Sequence, residues 1–247
     1  MRYVRRLRLK EEVQADLDSR QGNADRQRTE GSLDVAAEWK SARQTQSLKS
    51  VLATLQRMMS DRQRCMYCLD SHGTDIEHFW PKEPFPDRMF VWPNLLLCCA
   101  ECGRFKGDTF PLLHGQPLLI DPTTEDPWLY LDFDPPTGNI VARFQPDRDA
   151  YSEKGTKTVE ILHLDRREAL AAGYQRTFRR LAHLVGDALS HHNLQADALI
   201  RSLREADDHG LLSWCFRGSG QSEPPFRDLR DQHRDIWAQC AAAMQEG

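Results

Sequence analysis

The sequence lacks any apolar run near the roughly 20 residues that a bilayer-spanning helix needs, so no membrane role is expected. The start, MRYVRRLRLKEE, is basic but has no apolar stretch behind it, and a secretory signal is not expected either. An excess of positive charge is also missing. Lys and Arg number 33 against 37 Asp and Glu, giving a net charge of −4. That excludes a uniformly basic nucleic-acid binder. It leaves room for a local basic surface, because phosphate affinity depends on where the cations sit. A weak binder delivered by a partner fits the same balance. No internal repeat is present. What remains is a chain of 247 residues, 40% hydrophobic, with enough apolar content to build a core for one or two domains. A cytoplasmic location is the expectation. In a reducing compartment, cysteines at metal spacing bind metal more often than they pair as disulfides.

Two such pairs are present, Cys65-Met-Tyr-Cys68 and Cys99-Ala-Glu-Cys102. Each places two sulfurs within reach of one ion, and four thiolates around Zn2+ form a closed structural site with no open position for chemistry. Cys98 could replace Cys99 in a wider pairing, but the two-residue spacing is the tighter match. Cys215 and Cys240 stand alone and read as ordinary cysteines.

Residues 69–98 separate the pairs, a longer interval than a plain zinc ribbon has. The extra length carries Asp75-Ile76-Glu77-His78-Phe79-Trp80-Pro81-Lys82 and Trp92-Pro93-Asn94-Leu95. Phosphodiester hydrolysis needs a base for water, a cation for the phosphate charge and a group that orients the base. His78 suits the base, since histidine titrates near neutrality. Glu77 is a hard oxygen donor for Mg2+ or Mn2+. Neighbours on a strand point to opposite faces, so both serve one site only if the strand bends or the ion sits at its edge. Asn94 could bond the backbone near His78 and fix the two halves of the hairpin. Lys82, Arg104 and Lys106 are candidate phosphate contacts, the last two on a helix beside the site. Phe79, Trp80 and Trp92 read as core of a small module. His163, His183, His191, His192 and His209 show no ligand spacing and receive no role.

The chain is organised around this motif. Residues 1–31 read as a basic and polar arm, either loosely ordered or a clamp on a partner. Residues 32–64 read as a helix, with Ser32 as cap and Trp39, Leu48, Val51, Leu55 and Met58 among its apolar positions. Residues 65–111 are the motif module. Residues 112–157 are rich in Pro and Asp, with short strands predicted at LLIDP and Ile140–Phe144 around the turn PPTGN. Residues 158–247 read as helical: one helix to the His191-His192 pair, one over 194–213, one over about 226–245. The fold class expected is α+β, mainly helical, with the module set in a helical body made from the N-terminal helix and residues 158–246.

The string CMYC…DIEHFWPK…WPNLLLCCAECGRFKGDTFP resembles zinc-stapled ββα-metal (HNH) endonucleases. The phrase IEHFWPK followed by WPNL, the second Cys pair, KGD and FP is similar to the HNH subunit of the Septu anti-phage defence system, a family also found with some retrons. Its match is close over about 50 residues and fits the rest in outline only. The resemblance implies that His78 is the general base, Glu77 a catalytic metal ligand, Asn94 the middle HNH residue, and Cys65, Cys68, Cys99 and Cys102 the zinc ligands. It places Lys106 near phosphate. It also implies a nucleic-acid substrate, DNA by default with RNA open, and a partner ATPase. One position departs from the pattern. The residue after the last zinc cysteine is usually Asn or His and completes the catalytic ion's ligands; here it is Gly103. Asp108 or Glu101 substitutes, or water fills the position, or catalysis is weakened. The alternative function is an HNH-like zinc module that binds nucleic acid or protein without cutting.

Overall fold

The computed structural model describes residues 1–190 and 194–244. His191, His192 and the end of the predicted last helix lie outside the described residues. Contacts divide the chain into two compact units. One holds Val4–Tyr67 and Ser71–Pro117; the other holds Met1–Tyr3, Cys68–Asp70 and Leu118–Gly247.

The first unit runs α1 (Glu11–Thr29), α2 (Val35–Ala42), α3 (Gln46–Met58), β1 (Asp75–His78), β2 (Leu95–Cys98), α4 (Ala100–Lys106), β3 (Leu112–Leu113) and β4 (Gln116–Pro117). Residues 11–29, expected as an arm, form a helix instead. Its charges favour this: Glu11 and Glu12 stand in the first turn, Arg26 and Arg28 in the last. Side chains also pair one turn apart, Gln14 with Asp18, Arg20 with Asp16 and Gln21 with Asp25. Val13, Leu17 and Ala24 are buried.

The single helix expected over 32–64 is two helices. Asp34, not Ser32, caps α2, its carboxylate accepting from Ala37 N at 2.9 Å. Thr45 caps α3, accepting from Leu48 N at 3.4 Å. A good cap residue inside the run starts a new helix there. Leu48, Val51, Leu55 and Met58 of α3 are buried, and α3 packs on β2, whose four residues are all buried. Each large aliphatic side chain so buried contributes roughly 1.5–3 kcal/mol.

The second unit runs β5 (Leu131–Asp134), β6 (Asn139–Ala142), β7 (Phe144–Gln145), β8 (Ala150–Tyr151), α5 (Glu153–Leu162), α6 (Glu168–Leu189), α7 (Ala196–Ala206), α8 (Leu212–Arg217), α9 (Phe226–Gln232) and α10 (Arg234–Ala243). The PPTGN turn does join two strands, β5 and β6. Gly138 ends it at φ 80°, where a Cβ would lie 2.3 Å from the Ala171 carbonyl, so only glycine fits. LLIDP is not a strand. Leu119 and Ile120 are buried, and Ile120 N donates to the Thr158 hydroxyl. The helices expected over 194–213 and 226–245 are each broken in two. His209 is core: Nδ1 lies 2.8 Å from Thr177 Oγ1 and Nε2 lies 3.3 Å from Asp70 Oδ1.

The described fold is mainly helical, with strands only in two-stranded antiparallel sheets. The N-terminal helices, expected to join the C-terminal ones in one body, are grouped with the hairpin that bears Glu77 and His78. Among the described residues no helix is long and apolar enough to cross a membrane.

Candidate functional site

Cys65, Cys68, Cys99 and Cys102 are buried, and their sulfurs all lie within 4.8 Å of one another. Tetrahedral zinc with Zn–S near 2.3 Å needs sulfurs about 3.8 Å apart, so the set fits after a slight contraction. Four buried cysteines here could hold a zinc ion. The set includes Cys99 rather than Cys98. Cys98 lies outside the quartet, its thiol donating to the Cys99 carbonyl at 3.3 Å with the Cys65 sulfur 4.0 Å away. Those two contacts and burial push the Cys98 thiol above its ordinary range. Cys99 does a second job: its sulfur accepts from Cys102 N and caps α4.

β1 and β2 pair antiparallel, with Glu77 opposite Leu96 and His78 opposite Leu95. The pleat sends the two functional side chains to different neighbours. Glu77 faces α4. Its Oε1 accepts from Lys106 Nζ at 2.9 Å, and a Cβ on Gly103 would sit 3.3 Å from its Oε2. Burial pushes Glu77 above the ordinary carboxylate range, while Lys106 and Lys82 pull the other way. His78 faces away, into the loop between the strands. Its Nε2 lies 2.9 Å from the Met89 carbonyl, and Trp39 of α2 stands edge-on with ring centroids 4.3 Å apart. His78 is 5% exposed. Burial pulls it down to about 3; Lys82 and Lys106 add to that, and the Met89 bond opposes it.

Asn94 sits at the end of a tight turn, Trp92–Asn94, and clamps the hairpin. Its side-chain oxygen accepts from Trp80 N at 2.7 Å; its amide donates to the carbonyls of Trp80 and Arg88 at 3.0 and 2.9 Å. Its backbone carbonyl accepts from Phe79 N. Every polar atom of that side chain bonds the backbone on either side of His78's loop.

The three candidate phosphate contacts part company. Arg104 is exposed on α4, and Lys82 is partly exposed near Glu83. Lys106 differs from the expectation of a surface cation: it is fully buried, and its ammonium also donates to the His78 carbonyl at 2.7 Å. Asp108 is exposed. Among the described residues the four cysteines are the one group of three or more His, Cys, Asp or Glu donors placed to share an ion. Two contributors escape the motif. Trp39 lies 39 residues before His78 and shows only as an apolar helix position. Arg6, in the expected arm, donates to the carbonyls of Trp92, Pro93 and Leu95 and holds the β2 end of the loop. Of the aromatics, Phe79 and Trp92 are buried, and Trp80 packs against Phe85 and Phe110.

The class that these features define is a cysteine-quartet module: a Glu–His strand, a return strand and a short helix packed on the quartet. No family model matches the sequence. Over 112 residues the chain is 30% identical to the Septu protein PtuB of Bacillus thuringiensis, a stretch covering 43% of this chain and 38% of that protein. The chain therefore matches well under half of its curated relative's length. The resemblance to a Septu subunit carried by the motif holds.

Proposed function

We propose that the chain is an HNH-type endonuclease that hydrolyses phosphodiester bonds of nucleic acid, DNA first, within an anti-phage defence assembly. The observation that carries this reading is the setting of His78. Facing a carbonyl, Nε2 holds the ring proton, so the lone pair sits on Nδ1, oriented by the Met89 bond. That is the tautomer a general base needs to take a proton from water. Asn94 and Arg6 fix the loop that supplies the Met89 carbonyl. Zinc on Cys65, Cys68, Cys99 and Cys102 supplies folding energy at the foot of the hairpin. Lys82 and Arg104 are the cations left at the surface for phosphate.

The same geometry supports a restrained enzyme. Trp39 covers the imidazole, and burial leaves it a weak base. Moving α2 aside exposes the ring and returns its basicity toward the ordinary histidine range. A partner ATPase, as in a Septu system, is the natural agent of that movement.

A catalytic Mg2+ or Mn2+, expected on Glu77 with Asp108, does not fit the centre as built. Position 103 offers no donor, Asp108 is exposed, and the Glu77 carboxylate is already held by an ammonium. The same features favour a second reading, a module that binds nucleic acid without cutting it. Plasmid cleavage separates the two. Wild type and His78→Ala are assayed with and without Mg2+ or Mn2+ and with and without the partner. Cleavage by wild type, lowered at least about a hundredfold by His78→Ala, is expected of a general base. A folded wild type that binds DNA and cuts under none of these conditions sinks the nuclease reading.

A further inference from the structure

We propose that Lys106 is the resident cation of this centre, and that no divalent ion shares Glu77 with it. This rests on reading Glu77 and His78 as the working centre. Three observations carry it.

The first is the saturation of the ammonium. Lysine has three N–H donors and no acceptor. Here they meet Glu77 Oε1 at 2.9 Å, the His78 carbonyl at 2.7 Å and the Gly107 carbonyl at 3.4 Å. The side chain is 0% exposed. A lysine is almost never fully buried unless paired, so this pocket is built around a charge.

The second is that, among the described residues, Glu77 belongs to no group of three or more His, Cys, Asp or Glu donors placed to share an ion. Mg2+ and Mn2+ take oxygen ligands and bind through one or two carboxylates with several waters. Glu77 is 18% exposed, which leaves little room for that water shell. Gly103 of α4 faces the other carboxylate oxygen, where a Cβ would sit 3.3 Å from Oε2, and it has no side chain to offer. A divalent ion bound at the free Oε2 would stand a few ångströms from a fully buried ammonium, in a medium where like charges repel far more than in water.

The third is the helical spacing. Positions 103 and 106 lie three residues apart, on one face of α4. That face meets Glu77 twice: at Gly103, where nothing reaches out, and at Lys106, where an ammonium does. The lysine balances the carboxylate and, through the His78 carbonyl, ties the end of β1 to α4. It acts on His78 as a positioning residue.

The test is a Mn2+ titration of the zinc-loaded protein, read by electron paramagnetic resonance, beside the melting temperatures of three variants. Wild type should show no bound Mn2+ that Glu77→Gln removes. An ion that persists in Glu77→Gln lies elsewhere and leaves Glu77 to the lysine, as expected. Lys106→Met strands a buried carboxylate and should lower Tm by on the order of 10 °C. Glu77→Gln/Lys106→Met should recover most of that loss. The proposal is overturned if wild type binds a Mn2+ that Glu77→Gln abolishes, or if the double variant melts no higher than Lys106→Met. Should Lys106→Met not fold, the titration of wild type still decides. Neither readout involves cleavage, so a protein that never cuts DNA can pass, and a failure here leaves the nuclease reading standing.

Discussion

His78 stays neutral in the folded protein down to a pH near 3, whereas in the unfolded chain it takes a proton near 6.5. Between those values the unfolded state binds more protons, so stability rises with pH across the window. The His78 contribution is fully present above pH 6.5 and fades as pH falls toward 3. The full slope is about 1.4 kcal/mol per pH unit. Glu77 works the other way: its raised pKa gives stability that is present below 4.5 and lost as pH rises through its folded value. Melting curves from pH 7.5 to 5 should therefore show a falling Tm in wild type and a flatter profile in His78→Gln, the difference in slope corresponding to about one histidine proton. Parallel profiles for the two proteins would mean that His78 is not buried neutral. Residues of this kind were partly legible. Glu77 and His78 stood out because base and acid were adjacent inside a cysteine frame, and Asn94's clamp followed from a loop that needed closing. Lys106 was not legible, because its burial depends on a partner 29 residues upstream that only packing brings to it. Trp39 was hidden for the same reason: its contact with His78 is made by packing, not by sequence pattern.

At the scale of elements, the cysteine quartet and α4 stand together. α4 has only seven residues, too short to persist in isolation. Its cap is the Cys99 sulfur, and Cys102 lies within its first turn. With zinc bound, its cap Cys99 and its own Cys102 are fixed to the ion, and the helix that carries Lys106 to Glu77 is fixed with them. Cys102→Ser should lower Tm by on the order of 10 °C and reduce zinc from about one per chain to a fraction of that. Metal analysis of the purified proteins beside their melting curves checks this; an unchanged Tm with zinc lost would show that the ion is dispensable to the fold. The quartet could be read from spacing alone because ligand geometry dictates spacing. Helix α1 could not, because its stability comes from charge placement and one-turn side-chain pairs on a polar sequence with few apolar positions. The break between α2 and α3 came from a cap, Thr45, lying inside one continuous apolar rhythm, and Asp34 set where α2 starts.

For the whole molecule, the net charge of −4 sets how a nuclease of the kind proposed above would meet nucleic acid. Affinity must come from a few cations at the site rather than from the surface at large. Lys106, which a count of basic residues would add to the phosphate contacts, is spent on Glu77. Lys82 and Arg104 remain, with Arg88 close by over the Trp80 ring. Each phosphate neutralised on duplex DNA releases counterions worth a slope of about −0.9 in log K against log salt. Two or three contacts thus give a slope of about −2 to −3, shallow beside autonomous DNA-binding proteins. Fluorescence anisotropy of a labelled duplex with His78→Ala, across a salt series, measures it without cleavage. Lys82→Ala should weaken binding to all sequences alike and reduce the slope by about 1. A slope steeper than about −6 would require a basic surface beyond these residues and would place the DNA away from the Glu77–His78 centre. A shallow slope means weak binding at physiological salt, and under the proposed function that is the condition in which the chain would depend on a partner to reach DNA at all.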